Sequence, residues 1–347
     1  MLLDGIFLPL TTPFHPDGRL FLRKLEGNVD RYSRTPAAGM LVLGLTGETA
    51  FLTDVEARQT LEAAIGAAAK EKVMLAGVGR ESVFATLEMA EIAARAGYDA
   101  VVVKAPLLLS DAAMQRELLV YFQAVADRSP LPVILANDRD VRLPLGPIAG
   151  LANHPQVIGL IDRSTSAERV RELATFTAGV SREVTVTTVF GAATNRMLPQ
   201  AQPGASLMSA QGLQGGGTVT TAAPATQALK TRTKKVGFQV LAGSAAGMLE
   251  AWRAGAAGGI PSMGACAPQA CCEVWQAFRD GDLPLAEEKQ ARIEGVAAMT
   301  EGWSGIAAIK YGCDFNGYFG GRPRLPLLPL NEEQRKGLEA ALAGMRN

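Results

Sequence analysis

Short apolar runs recur along the chain, each too brief for a helix, and between them lie longer stretches whose apolar residues fall three and four apart. Gly5 to Leu10 is the first run, followed by a helical stretch through Leu25 to Tyr32 and then by Gly39 to Gly44. Thr53 and Glu56 have the spacing of a capping box, which predicts a helix start there and a helix running to about Lys70. Val73 to Gly77 is the third strand. The helix from Ser82 to Ala96 stops at Gly97, a residue type suited to the left-handed turn that ends helices. Ala100 to Lys104, Pro132 to Ala136 and Val157 to Ile161 read as strands four to six, and a sixth helix follows at about Ser166 to Phe176. Phe238 to Gly243 and Gly258 to Met263 complete eight strands. Continuous apolar strands alternating with amphipathic helices predict a parallel sheet covered on both faces, closed here as a (β/α)8 barrel.

Two regions depart from that rhythm. Between helix six and strand seven, residues 180 to 235 hold a β-branched run, Val184 to Val189, then Gly- and Thr-rich sequence with the triplet Gly215-Gly216-Gly217. This insertion is expected as a surface excursion on the N-terminal face of the barrel, because it joins a helix to the following strand. The glycine triplet lacks the Gly-Lys-Ser/Thr sequel of a phosphate loop. Beyond residue 282 the pattern is helical, at about Leu285–Thr300, Gly305–Cys313 and Glu332–Met345. The expected organisation is thus a barrel over 1–282, with its insertion, and a small C-terminal helical bundle over 283–347.

Composition narrows the partners. The 347 residues carry 34 basic and 34 acidic side chains, a balance that gives no nucleic-acid footprint and no polybasic membrane patch. Charges such as Glu250 and Arg253 keep every apolar run below the roughly 18 residues of a membrane span. Met1-Leu2-Leu3-Asp4 has no basic segment followed by a long apolar one, so no signal peptide and a cytoplasmic location are expected. Four cysteines (Cys266, Cys271, Cys272, Cys313) fit neither a disulfide framework nor a zinc spacing, and there are two histidines. Reduced, buried thiols are expected, with no metal and no cofactor.

Four stretches together resemble the dihydrodipicolinate synthase/N-acetylneuraminate lyase family of class I aldolases: Thr12-Pro13-Phe14, Gly44-Leu45-Thr46-Gly47-Glu48, Val157 to Asp162, and Gly320 to Leu327. Ala267-Pro268 and the helix to Gly281-Asp282 extend the likeness to nearly the whole chain outside the insertion. The resemblance implies a homo-oligomeric barrel that acts as a lyase on 2-oxo acids or keto-sugar acids, with a strand-six lysine forming a Schiff base at the C-terminal mouth. Such an amine works in an apolar pocket, where desolvation keeps it nucleophilic.

The same resemblance places apolar residues at the polar positions. Ile161 stands at the Schiff-base lysine, Ala136 at a strand-five tyrosine, Leu45 at a threonine and Leu108 at a second tyrosine. The usual Schiff-base chemistry is therefore expected to be lost. These four would line the mouth of either a redirected lyase or a non-catalytic relative that binds a small ligand or serves as an oligomeric scaffold. Thr46 and Gly47 match the part of the motif that holds a carboxylate through hydroxyl and N–H donors. Asn137 and Arg139 are further ligand-binding candidates, with Arg142 an alternative to Arg139. Lys104 at the end of strand four and His15 after strand one are the candidates for a relocated amine or acid/base. Glu48 reads as a structural acceptor, and Asp162 should point away from the barrel axis by strand alternation.

Overall fold

The computed structural model describes residues 1–137, 143–164, 166–189, 191–198, 229–301 and 305–345. Eight parallel strands close on themselves: β1 (Gly5–Pro9), β2 (Gly39–Val42), β3 (Val73–Gly77), β4 (Ala100–Lys104), β5 (Val133–Asn137), β6 (Val157–Asp162), β9 (Gln239–Ala242) and β10 (Gly258–Gly259). They follow this order around the barrel, and β10 returns to pair with β1 through Gly5 opposite Gly258. Helices α1 (Leu22–Ser33), α2 (Asp54–Ala67), α3 (Val83–Ala96), α4 (Gln115–Arg128), α5 (Leu145–Ala152), α6 (Ala167–Phe176), α7 (Met248–Arg253) and α8 (Pro268–Arg279) lie between or after them. The predicted (β/α)8 barrel is the observed one. Helices α9 (Leu283–Thr300), α10 (Ile306–Phe315) and α11 (Glu332–Leu342) form the expected C-terminal helical region.

Strand alternation divides the core into two layers. Phe7, Leu41, Leu75, Val102, Ile134 and Leu241 fill the barrel interior, with Leu3 closing its lower end. Their neighbours Leu8, Met40, Met74, Val101, Leu135 and Val240 face outward and pack against the helices. At about 25 cal/mol per Å² of apolar surface removed from water, these layers are the dominant stabilising term. The α2 capping box forms as expected: the Glu56 N–H donates to the Thr53 hydroxyl at 3.2 Å, and the Thr53 N–H donates to the Glu56 carboxylate at 2.9 Å.

Two expectations need correction. The eighth strand is only Gly258–Gly259, not Gly258 to Met263, because Pro261 has no N–H to donate and Ser262–Ala265 turns into a 3-10 helix. The insertion is more than a loop. Its β-branched run forms β7 (Arg182–Thr187), which pairs antiparallel with β8 (Thr231–Val236) as a two-stranded ribbon. Val184 and Val186 bury one face of that ribbon against Leu2. Beyond it, Thr194 Oγ1 donates to the Lys70 carbonyl (2.6 Å), the Asn195 N–H donates to Asp99 (2.6 Å), and Arg196 bonds the carbonyls of Ala68, Ala69 and Lys72. All of these partners precede β3 or β4, so this segment covers the N-terminal face. The glycine triplet 215–217 lies outside the described residues. All four cysteines are buried and free of disulfides. Among the described residues no helix is long and apolar enough to cross a membrane.

Candidate functional site at the barrel mouth

The strands deliver their last inward side chains to one level. Lys104 pairs with Ala136 across β4 and β5, Ala136 with Ile161 across β5 and β6, and Ile161 with Leu241 across β6 and β9. Above that level is a cavity of about 90 Å³ at the C-terminal ends of the strands. Leu41, Val102, Ala136, Ile161 and Ile260 form its apolar floor and walls, and Leu45, Thr46, Lys104, Asn137 and Arg163 stand around them.

Two glycines make room for the two cations. A Cβ at Gly79 would lie 2.9 Å from Lys104 Cγ, and one at Gly243 would lie 2.6 Å from Arg163 Cγ. Arg163 Nη2 donates to Ser262 Oγ at 2.9 Å and stands 3.7 Å from Glu301 Oε2. Glu301 is itself held by Ser244 Oγ at 3.0 Å and by the Ala245 N–H at 3.3 Å. The guanidinium is therefore tied to the region of β10 and the end of α9 rather than left to swing.

The loop after β2 is fixed from behind. Leu43 and Glu48 both adopt positive φ (60° and 54°), a strained conformation for residues with a Cβ. Thr46 Oγ1 donates to the Leu10 carbonyl at 3.2 Å, the Gly47 N–H to the Gly44 carbonyl at 3.1 Å, and Thr12 Oγ1 to the Gly47 carbonyl at 2.7 Å. Glu48 is wholly buried and ion-pairs with Lys310 of α10, equally buried; its second oxygen accepts the Arg324 N–H at 2.7 Å. Lys310 and Arg324 lie over the Phe14 ring at 4.3 and 4.5 Å from its centroid. Burial pushes the Glu48 carboxyl up and the Lys310 amine down, and each opposes the other's shift by charge and hydrogen bond. A salt bridge this deep fixes the loop's position, since removing one partner would strand a buried charge.

The sequence candidates separate in space. Leu45, Thr46, Lys104, Ala136, Asn137 and Ile161 meet at the cavity. Leu108 does not: it is 76% exposed, in a 3-10 turn whose Leu107 and Leu108 N–H groups donate to the Glu81 carboxylate at 3.2 and 3.1 Å. Those two bonds turn the side chain outward. His15 is also away from the cavity, stacked on Phe21 with centroids 3.9 Å apart. Gly47 lies behind the wall, and the donors of both Thr46 and Gly47 are directed at backbone carbonyls. Asn137 spends its amide on Asp162 (3.0 Å) and accepts the Leu143 N–H (2.7 Å). Arg139 and Arg142 lie outside the described residues. Asp162 faces outward and pairs with Arg169 of α6 at 2.8 Å. Arg163 was missed by sequence reasoning, although it lies two positions beyond Ile161, which is the same-face spacing of an extended chain. Among the described residues no cluster of His, Cys, Asp and Glu could hold a metal ion.

Comparison with known proteins agrees with this architecture. The chain is 26% identical over 344 residues to 4-hydroxy-tetrahydrodipicolinate synthase of Acidiphilium cryptum, an alignment covering 98% of each. It is 34% identical over 176 residues to the enzyme of that name from Xanthomonas campestris, covering 50% of this chain and 58% of the other. Among solved structures, it matches YagE, a prophage protein from E. coli K12 solved in complex with pyruvate, with a TM-score of 0.78 at 22% identity over 99% of both chains. A dihydrodipicolinate synthase from Bacillus anthracis gives a TM-score of 0.77 at 20% identity over the full length of both. The sequence model of the dihydrodipicolinate synthetase family matches residues 2–204 and 214–345, and the chain belongs to that family.

Proposed function

We propose that this protein binds a small 2-oxo acid or keto-sugar acid in its barrel mouth and acts on it as a lyase without a Schiff base at position 161, Lys104 being the amine that meets the ligand carbonyl. The observation that carries this reading is the register: Lys104 occupies the inner layer of Ala136 and Ile161 and lines the same cavity. An amine beside an apolar floor has the setting that imine chemistry needs. In the step itself, Lys104 Nζ attacks the carbonyl carbon and a C–N bond forms. The carbonyl oxygen then leaves as water, carrying both amine protons, and a C=N bond remains. Ile161, Ala136 and Leu45 offer no group able to accept or donate a proton, which supports loss of the chemistry at its usual place. Pyruvate in the E. coli neighbour supports a 2-oxo acid as ligand.

A second reading, a non-catalytic barrel that only binds a small ligand, is favoured by one observation: the Thr46 hydroxyl and Gly47 N–H are already committed to backbone carbonyls. Reductive trapping separates the two. The full chain is incubated with pyruvate and borohydride, its intact mass is read, and the adduct is mapped. A stoichiometric adduct on Lys104 is expected. Binding with no adduct would leave the second reading. We further propose that the protein is a homo-oligomer, on the grounds of the exposed apolar side chains Phe84, Leu107 and Leu108 beside the mouth (80%, 53% and 76% exposed).

A further inference from the structure

Two cations enter the mouth from opposite sides of its apolar floor. Lys104 ends β4, and Arg163 follows the end of β6. Their backbones stand two strands apart, about 10 Å at ~4.8 Å per strand, with Ala136 between them on β5. No carboxylate lines the cavity among the described residues. Glu301 sits behind Arg163, turned partly toward Ser244 and the Ala245 N–H. A ligand that satisfied only Lys104 would leave the guanidinium facing apolar walls.

The setting of Arg163 suits recognition of an anion. Its side chain is 13% exposed, its stem passes over Gly243 where a Cβ would collide, and Ser262 holds Nη2. A guanidinium held in this way presents its remaining N–H groups with little ordering left to lose on binding. The cavity has room for a short ligand: 90 Å³ at roughly 10–15 Å³ per water-sized group holds about six to nine such groups, and its rim opens to solvent.

We infer that Arg163 anchors a second carboxylate, so that the mouth selects a short dicarboxylic 2-oxo acid over a monocarboxylic one. This rests on the reading above that the mouth takes a 2-oxo acid. The carbonyl lies toward Lys104, the apolar middle of the ligand crosses Ala136 and Ile161, and the distal carboxylate meets Arg163. Charge-assisted bonds to a desolvated guanidinium are among the stronger polar contacts, so the distal group should improve affinity about tenfold or more.

The test is titration calorimetry on the full chain with pyruvate, 2-oxoglutarate and glutarate, for the native protein and for Arg163→Gln. 2-Oxoglutarate should bind at least about tenfold more tightly than pyruvate, and Arg163→Gln should abolish that preference while leaving pyruvate affinity unchanged. Equal affinities in the native protein, or a preference that survives Arg163→Gln, would overturn the inference. So would an equal loss for both ligands, because Arg163 would then hold the carboxylate that they share. If Arg163→Gln unfolds, Ser262→Ala removes the bond that orients the guanidinium and should narrow the preference severalfold; an unaltered preference there counts against the inference. Binding of glutarate alone, dependent on Arg163, would keep the dianion site and sink the 2-oxo acid reading. Binding of none of the three would sink both.

Discussion

Lys104 and Ile161 occupy one layer of the barrel interior, each paired with Ala136, which lies between them. The position where the family resemblance expects a reactive amine holds a branched alkane, while an amine stands two strands away at the same height. The side chain of Lys104 fits there because residue 79 is glycine.

That relationship makes position 161 a testable vacancy. Ile161→Lys combined with Ala136→Tyr should add a second site of pyruvate trapping, mapped at position 161, alongside the one at Lys104. An adduct confined to the introduced amine, with Lys104 unlabelled in both proteins, would assign Lys104 no part in the chemistry. The isoleucine is 4% exposed, so a cost in stability of about 1–3 kcal/mol is expected for placing a long polar side chain in its packed site.

Gly79→Ala tests the seat of Lys104. Its Cβ would stand 2.8 Å from the Lys104 backbone nitrogen and 2.9 Å from its Cγ. Overpacking of this kind costs about 1–3 kcal/mol, and trapping at Lys104 should slow severalfold. Chemical denaturation together with adduct yield against time would read the two effects separately.

The Glu48–Lys310 pair should be the most sensitive point of the loop behind the mouth. Glu48→Gln or Lys310→Met alone leaves one buried charge and should cost about 3–5 kcal/mol in urea unfolding. The double variant should recover part of that loss, because it removes both charges. Additive single losses would show that the pair is not coupled.

Acid should loosen the contact between α2 and the tail. Hydrogen bonds from Arg324 hold the Glu56 carboxyl down to about 2 from its ordinary value near 4.5, helped by the Thr53 N–H and opposed by burial. A carboxylate whose pKa is depressed on folding contributes stability above the unfolded value and loses it as pH falls through the folded one. The native protein should lose stability between pH 4.5 and 2 more steeply than Glu56→Gln, measured as denaturation midpoints at stepped pH. Identical pH profiles would remove Glu56 from the account.

Self-association can be read from mass in solution. The chain weighs 36.5 kDa, and light scattering on the native protein should give a multiple of that value. Leu108→Glu puts a charge on the exposed apolar turn and should shift the species toward the monomer. A monomeric native protein would leave Phe84, Leu107 and Leu108 without the partner proposed for them.

What the sequence determined by itself was local and periodic. Runs such as Val73–Gly77, helix starts such as Thr53 with Glu56, and the stop at Gly97 carry their structure in near neighbours, and they were enough to give a closed barrel. Inner and outer positions followed from strand alternation, so the side chains of Ala136 and Ile161 at the mouth, and the outward turn of Asp162, were legible. The tertiary structure decided everything that depends on which strands and loops become neighbours when the barrel closes. Glu48 and Lys310 are 262 residues apart in sequence, and no local signal pairs them. The ribbon pairs Thr187 with Thr231 across the insertion, and Arg163 reaches the mouth because Gly243 and Ser262 arrive there from other strands. Leu108 was placed at the mouth by its position after β4, yet the Glu81 carboxylate holds its turn so that the side chain faces solvent. The reason is common to all four: a side chain's direction at a strand end is set by long-range hydrogen bonds and packing, and these exist only in the closed barrel.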